Sequence, residues 1–259
     1  MTSRLLGLSL FVMAGCAASH PPLTCRAERA GELAFGFQRA GAFFPIGSDA
    51  VNGSAFLFID GACNYWARGA DSDRVVSGTL DAALLADLNR ELLTGPWSAV
   101  DGENTTGCCD GDSYGVARDE IRATSYELSP RSEVLSMLLH EADVWAERLG
   151  DLGTAVTDGP IRIELRAVSP TMTPEATVPW PLTTPLSTLV DPMVTTITTV
   201  RVFDGEDARA LRAVRDSTAT RHFVEGSLVV AFRSYDVVPF ADAEGCLRPF
   251  FPGTCRSRW

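Results

Sequence analysis

The stretch Ala55-Phe56-Leu57-Phe58-Ile59-Asp60-Gly61-Ala62-Cys63-Asn64-Tyr65-Trp66-Ala67 decides the fold. A short apolar run ends at the turn signal Asp60-Gly61, and an aromatic segment follows at once. Aromatic and β-branched side chains suit a pleated, half-buried surface, so the pattern predicts a β-hairpin with Cys63 near the start of its second strand. Arg74 to Ser77 supplies a third strand. Upstream, Cys25 to Asn52 is aromatic and glycine-rich, as in Phe35-Gly36-Phe37 and Phe43-Phe44-Pro45, with no helical period. It reads as short strands with turns.

Downstream the period changes. Leu84, Leu85, Leu88 and Leu92 share one helical face, with Thr79 as the cap and Gly95-Pro96 as the stop. The loop Val100 to Gly111 follows and carries Cys108-Cys109. Tyr114 to Tyr126 reads as a hairpin broken near Arg118-Asp119-Glu120. Ser129-Pro130 then opens a second helix, with Val134, Leu138, Ala142, Trp145 and Leu149 on one stripe and Gly150 as its end. Strands, helix, hairpin, helix predict an antiparallel sheet with both helices on one face.

Gly150 to Gly159 is a candidate boundary. Beyond it Ile161, Ile163, Leu165 and Ala167 alternate with Arg162, Glu164 and Arg166, the signature of a half-buried strand. Ser169 to Pro185 reads as a long proline-rich loop. Ile197 to Phe203 and Leu228 to Phe232 read as strands, and Asp204 caps a helix from Gly205 to about Thr218. The fold class is therefore α+β, a mostly antiparallel, disulfide-bonded sheet structure with helices on one face. Two similar-sized lobes, 25–150 and 160–259, accommodate its length.

The chain start points to export. Arg4 precedes an apolar run from Leu5 to Ala14, and His20-Pro21-Pro22 breaks it. A charged start and a short apolar core describe a secretory signal, too short to cross a hydrocarbon layer of about 30 Å as a helix. The exit Met13-Ala14-Gly15-Cys16 resembles the lipobox of bacterial lipoproteins, with Met13 in place of the usual Leu. By that resemblance residues 1–15 are a removed signal peptide. Cys16 becomes the diacylated N-terminus, and 16–24 is a lipidated tether to the membrane. Two or more acyl chains give stable anchoring where one is marginal. The implied site is the bacterial envelope, at the outer membrane; ordinary signal cleavage near Ala17-Ala18 would instead leave a secreted protein.

The remaining cysteines are Cys25, Cys63, Cys108, Cys109, Cys246 and Cys255, an even set that reads as disulfides in an exported chain. Adjacent cysteines bridge each other only through a strained ring, so Cys108 and Cys109 call for distant partners. Spacing favours Cys246 with Cys255, Cys63 with one of the vicinal pair, and Cys25 with the other. A zinc site has no C-x-x-C and no histidine at ligand spacing to build it.

The charge balance excludes nucleic acid. The chain has 33 acidic residues against 22 basic ones, all Arg, for a net charge of -11. Such a chain repels phosphate backbones. No cofactor fingerprint, phosphate loop or G-x-S-x-G is present. His140-Glu141 lacks the second histidine of H-E-x-x-H, since residue 144 is Val, and His222 has no acid–base partner nearby in sequence. The loop Asp101-Gly-Glu103-Asn104 through Asp110-Gly-Asp112 is acidic but off the spacing of a calcium loop. No metal, no cofactor and no catalytic residue are expected. The function expected is a non-enzymatic binding or structural role for an envelope lipoprotein whose partner is the membrane. Two alternatives are a carboxylate-dependent hydrolase, with Asp110 and Asp112 as an example pair, and an inhibitor of secreted proteases. For the inhibitor, the element order of 55–150 is faintly similar to small bacterial metalloprotease inhibitors.

Overall fold

The computed structural model describes residues 19–40, 55–69, 74–104, 112–126, 130–169, 174 and 176–240. The first half holds strands β1 (Leu33–Ala40), β2 (Ala55–Asp60), β3 (Asn64–Arg68) and β4 (Val76–Thr79). Helix α1 (Ala82–Leu88), strands β5 (Ser113–Arg118) and β6 (Ile121–Tyr126), and helix α2 (Glu133–Leu152) follow. The second half holds β7 (Thr154–Ala155), β8 (Ile161–Ala167), β9 (Val178–Pro179), β10 (Thr199–Phe203), α3 (Gly205–Ser217), β11 (His222–Glu225) and β12 (Leu228–Asp236).

Seven strands form one antiparallel sheet in the order β6-β5-β1-β2-β3-β4-β7. Strict alternation along β1 and β2 sends Phe35, Phe37, Leu57 and Ile59 to one face, where they meet Leu88, Leu92, Leu138, Trp145 and Leu149 in a single buried cluster. Both helices lie on that face, as the sequence pattern requires. Burying each Leu or Phe side chain contributes about 1.5–3 kcal/mol, so this shared face is the main support of the sheet.

The helix ends sit where capping chemistry places them rather than where proline and glycine suggest. Asp81, not Thr79, caps α1, its carboxylate accepting from the N–H of Ala83 and Leu84. Ser132, not Ser129, caps α2, its hydroxyl accepting from Leu135 N at 3.0 Å. Gly150 does not end α2, which continues to Leu152 with Gly153 after it. A glycine inside a helix costs only about 1 kcal/mol, and the flanking Leu149 is fully buried, so packing carries the helix through. After Leu88 the chain widens into a π turn, Asn89–Leu93, before the Gly95-Pro96 stop.

The second sheet runs β10-β8-β12-β11-β9, antiparallel except where β9 pairs with β11. Ile161, Ile163, Leu165 and Ala167 of β8 face Ala208 and Leu211 of α3 in a second core. Asp204 precedes α3 as its N-cap residue, but its side chain makes no capping hydrogen bond. The hairpin partner β11 and the short β9 inside the proline-rich loop were not legible in the sequence pattern.

The opposite face of β8 departs from the half-buried expectation. Arg162 and Glu164 are each 4% exposed and form an ion pair with each other. A second layer covers them. Beyond β12, Val238 and Phe240 pack on the outer face of the first sheet, with Phe240 5.4 Å from Trp66 and 6.1 Å from Phe58 between ring centroids. Burial raises the Tyr235 pKa above its ordinary value and Glu164 adds to the rise, while Arg233, Arg162 and, from β3 of the first sheet, Arg68 oppose it. The charged alternation of β8 thus marks a seam between two sheets, not a solvent face.

Candidate functional site

The residues from Cys25 to Cys63 are tied together by one disulfide between those two cysteines, closing a loop of 38 residues. The expected pairing of each with Cys108 or Cys109 is therefore corrected. The local cause is Asp60. Its buried carboxylate accepts from Gly31 N, Ala62 N, Asn64 N and Asn64 Nδ2 at 2.8–3.0 Å, which folds the β2–β3 turn tightly. Cys63 takes φ 64° in that turn, and the left-handed backbone aims it at the arm carrying Cys25. Gly61 lets the arm close: a Cβ there would sit 2.5 Å from Arg29 Cβ. Cys16, Cys108, Cys109, Cys246, Cys255 and Asp110 lie outside the described residues.

The residues His20 to Thr24, expected as a tether, lie along the body. Leu23 is 4% exposed within the first core. Its N–H donates to Asn89 Oδ1 at 2.7 Å, and Asn89 Nδ2 donates to its carbonyl at 3.0 Å. Arg118, itself buried, donates to Pro21 O at 3.2 Å and to Ala34 O at 3.0 Å. Burial lowers the Arg118 pKa from its ordinary value, with Asp119 opposing that shift.

The acidic loop divides into structural parts. Glu103 accepts from Ser132 N at 2.8 Å and Ser132 Oγ at 2.7 Å, which fastens the start of α2. Asn104 Oδ1 accepts from Thr124 Oγ1, and Asp101 Oδ1 from Arg122 N. These oxygens are already engaged. Among the described residues no group of three His, Cys, Asp or Glu side chains is arranged to hold a metal.

Asp112 has a different neighbourhood. It lies 3.8 Å from Arg39 Nε, while Arg39 NH1 donates to Asp143 Oδ2 at 2.5 Å. The three come from separate elements: Arg39 from β1, Asp112 from the entry to β5, and Asp143 from the middle of α2. Burial raises the Asp143 carboxyl above the usual carboxylate range; Arg39 pulls it down, and Glu147 and Asp112 push it further up. Among the described residues Asp143 Oδ1 accepts no hydrogen bond. A carboxyl of this kind holds its proton more readily than a solvated one, and its second oxygen is buried without a hydrogen-bond partner among the described residues. Spacing on α2 places Asp143 and Glu147 on one face, but nothing in the chain order links them to Arg39.

His140 is exposed on α2, and His222 is half-buried at the start of β11, where burial lowers its pKa. His20 approaches Asp119 at 3.7 Å. The described histidines thus lie apart from one another in the fold. In the second half, Asp236 is the common acceptor of Arg212 Nε at 2.6 Å and Arg215 NH1 at 2.8 Å. Arg212 also donates to Gly159 O and Pro160 O, which ties α3 to the inter-sheet segment. The Asp236 cluster is a structural lock, satisfied on every side by backbone and side chain.

No protein family, curated protein or solved structure matches the chain. No helix among the described residues is long and apolar enough to cross a membrane.

Proposed function

We propose that the chain is an exported, envelope-anchored lipoprotein whose disulfide-bonded α+β body serves a binding or structural role. The observation that carries this is the Cys25–Cys63 bond. Such bridges persist in oxidising compartments outside the cytosol, and this one fastens the segment that directly follows Ala14-Gly15-Cys16. Anchor and covalent fold thus begin within ten residues of each other, as in a protein built to be held at a surface. Metabolic labelling with an alkyne fatty acid tests the reading: label enters the native chain and is lost in Cys16→Ser. A native chain that takes no label overturns it.

A carboxylate-dependent hydrolase is the second reading, favoured by Asp143. Its raised carboxyl sits beside Asp112 across Arg39, so the pair to test is Asp112 and Asp143 in place of Asp110 and Asp112. A hydrolytic activity of the native chain that survives Asp143→Asn removes this reading.

A further inference from the structure

The arm from His20 to Arg26 is part of the fold. His20 N donates to Gly95 O at 3.2 Å, Arg118 holds Pro21 O, Asn89 holds both polar groups of the Leu23 backbone, and Arg26 N donates to Gly61 O at 2.8 Å. The Leu23 side chain is in the core, and Cys25 is covalently fixed to Cys63. Every residue contact in this series lies at one end of the first sheet. That end is defined by the Asp60–Cys63 turn, the Arg118–Asp119 turn and the start of β1.

Chain length then sets a geometric limit. Four Cα steps separate Cys16 from His20, so a fully extended segment spans at most about 14 Å. A folded body of this size has a radius of gyration of about 18 Å. A leash shorter than the body's own radius cannot let the body turn its far side to the surface that holds it.

We propose that, on the lipid-anchoring reading given above, the body is held flat to the bilayer by its arm end, with the turns at Asp119-Glu120 and Asp101-Gly102 against the headgroups. The opposite end of the sheet, where Arg39 meets Asp112 and Asp143, is then the outward-facing end. Six residue steps separate Leu33 from Arg39, about 20 Å along β1. The charges at the arm end suit this contact. In a chain of net charge -11, Asp119 is covered by Arg118 at 2.6 Å and His20 at 3.7 Å, and Glu32 by Arg29 at 2.9 Å. Paired in this way, Asp119 and Glu32 repel an anionic headgroup layer less than unpaired acids would.

The test uses the full lipidated chain in vesicles of phosphatidylethanolamine and phosphatidylglycerol that carry a headgroup-linked spin label. A fluorescent amino acid is placed at Glu120, exposed in the β5–β6 turn, or at Arg74, exposed at the other end of β4. The expected result is quenching at position 120 and its loss at position 74. Insertion of ten Gly/Ser residues between Ser19 and His20 should then remove the difference. A chain that floats with vesicles but is quenched equally at both positions overturns the orientation while leaving the anchor standing. A chain that never enters the vesicle fraction overturns the anchor and the orientation together. Hydrogen exchange supplies an independent arm: amides of His20 and Leu23 that exchange as free chain overturn the docked arm whatever the lipid does.

Discussion

Asn89 grips Leu23 through both of that residue's backbone groups, its Oδ1 taking the N–H at 2.7 Å and its Nδ2 giving to the carbonyl at 3.0 Å. The two residues stand 66 positions apart, and the side-chain amide completes a strand-like pairing for an arm that has no strand beside it there. Asn89 opens the π turn that follows α1, where Thr94 N reaches back to Asn89 O at 3.0 Å. The wide turn presents the amide towards the arm.

Replacing Asn89 by Ala strips both partners from a part-buried backbone. Each lost bond leaves a polar group to find water, so Asn89→Ala should cost about 2 kcal/mol in urea unfolding. Asn89→Asp keeps the acceptor for Leu23 N but loses the donor, and should fall between Ala and the native chain. An Ala variant as stable as the native chain would show that the two bonds of the amide contribute nothing.

Asp236 is the hinge of a second prediction. Its side chain is 2% exposed, and two guanidinium groups at 5% and 4% exposure depend on it. Arg215 shows the competition: burial lowers its pKa, yet the charges and hydrogen bonds of Asp236 and Asp216 raise it more. Asp236→Asn would leave two buried cations facing a neutral amide, a loss of about 3–5 kcal/mol. Adding Arg215→Met to that variant should restore part of the loss, because one of the stranded charges is gone. Strictly additive losses on urea unfolding would refute the shared-acceptor account.

Local patterns carried the elements, and long-range chemistry decided the rest. The hairpin at Asp60-Gly61 and the apolar stripe of α2 are written in nearby residues, so turn chemistry and a 3.6-residue period expose them. The Arg162/Glu164/Arg166 alternation is equally clear as a strand, but alternation cannot distinguish a face turned to water from one turned to a second sheet. Tyr235, Val238 and Phe240, about 70 residues on, make it a seam with the first sheet. The Cys25–Cys63 pairing was hidden for a similar reason. It depends on a left-handed Cys63 held by Asp60 and on space beside Gly61, neither of which is a spacing rule. Arg39 and Asp143 are 104 positions apart and carry no motif.

His222 gives a pH prediction with a definite sign. Burial holds its imidazole below the ordinary value of about 6.5, so between the two values the unfolded chain binds the proton that the folded chain refuses. Stability attributable to this group is therefore intact above about pH 6.5 and declines as pH falls through that value. Urea unfolding at pH 8 and pH 5 should show a larger drop for the native chain than for His222→Gln. Proton NMR of the imidazole should also place its midpoint below that of free histidine. A midpoint at or above the free value would reverse the sign and defeat the prediction.

The Cys25–Cys63 bond makes the last prediction, because it acts on the unfolded chain as well as on the arm. Closing a loop of 38 residues removes about 4 kcal/mol of unfolded-state entropy in the loop-closure treatment. Cys25→Ala/Cys63→Ala should therefore lower unfolding stability by about 3–4 kcal/mol, less a little for relief at the left-handed Cys63. It should also raise the urea m-value, since the open unfolded chain exposes more surface than the cross-linked one. These two readouts separate the entropic effect from simple loss of packing, which would lower stability without raising m. The arm has a second hold in Asn89, so the double alanine variant should keep its native near-ultraviolet spectrum at low urea. Adding Asn89→Ala to it should cost less than the same change costs in the bridged chain. In the bridged chain Leu23 stays two residues from a covalent bond and remains at its site, so both hydrogen bonds are lost in full; without the bond the arm leaves its site, and the loss is limited to what its docking contributed. Equal costs in the two backgrounds would mean that disulfide and amide hold the arm independently.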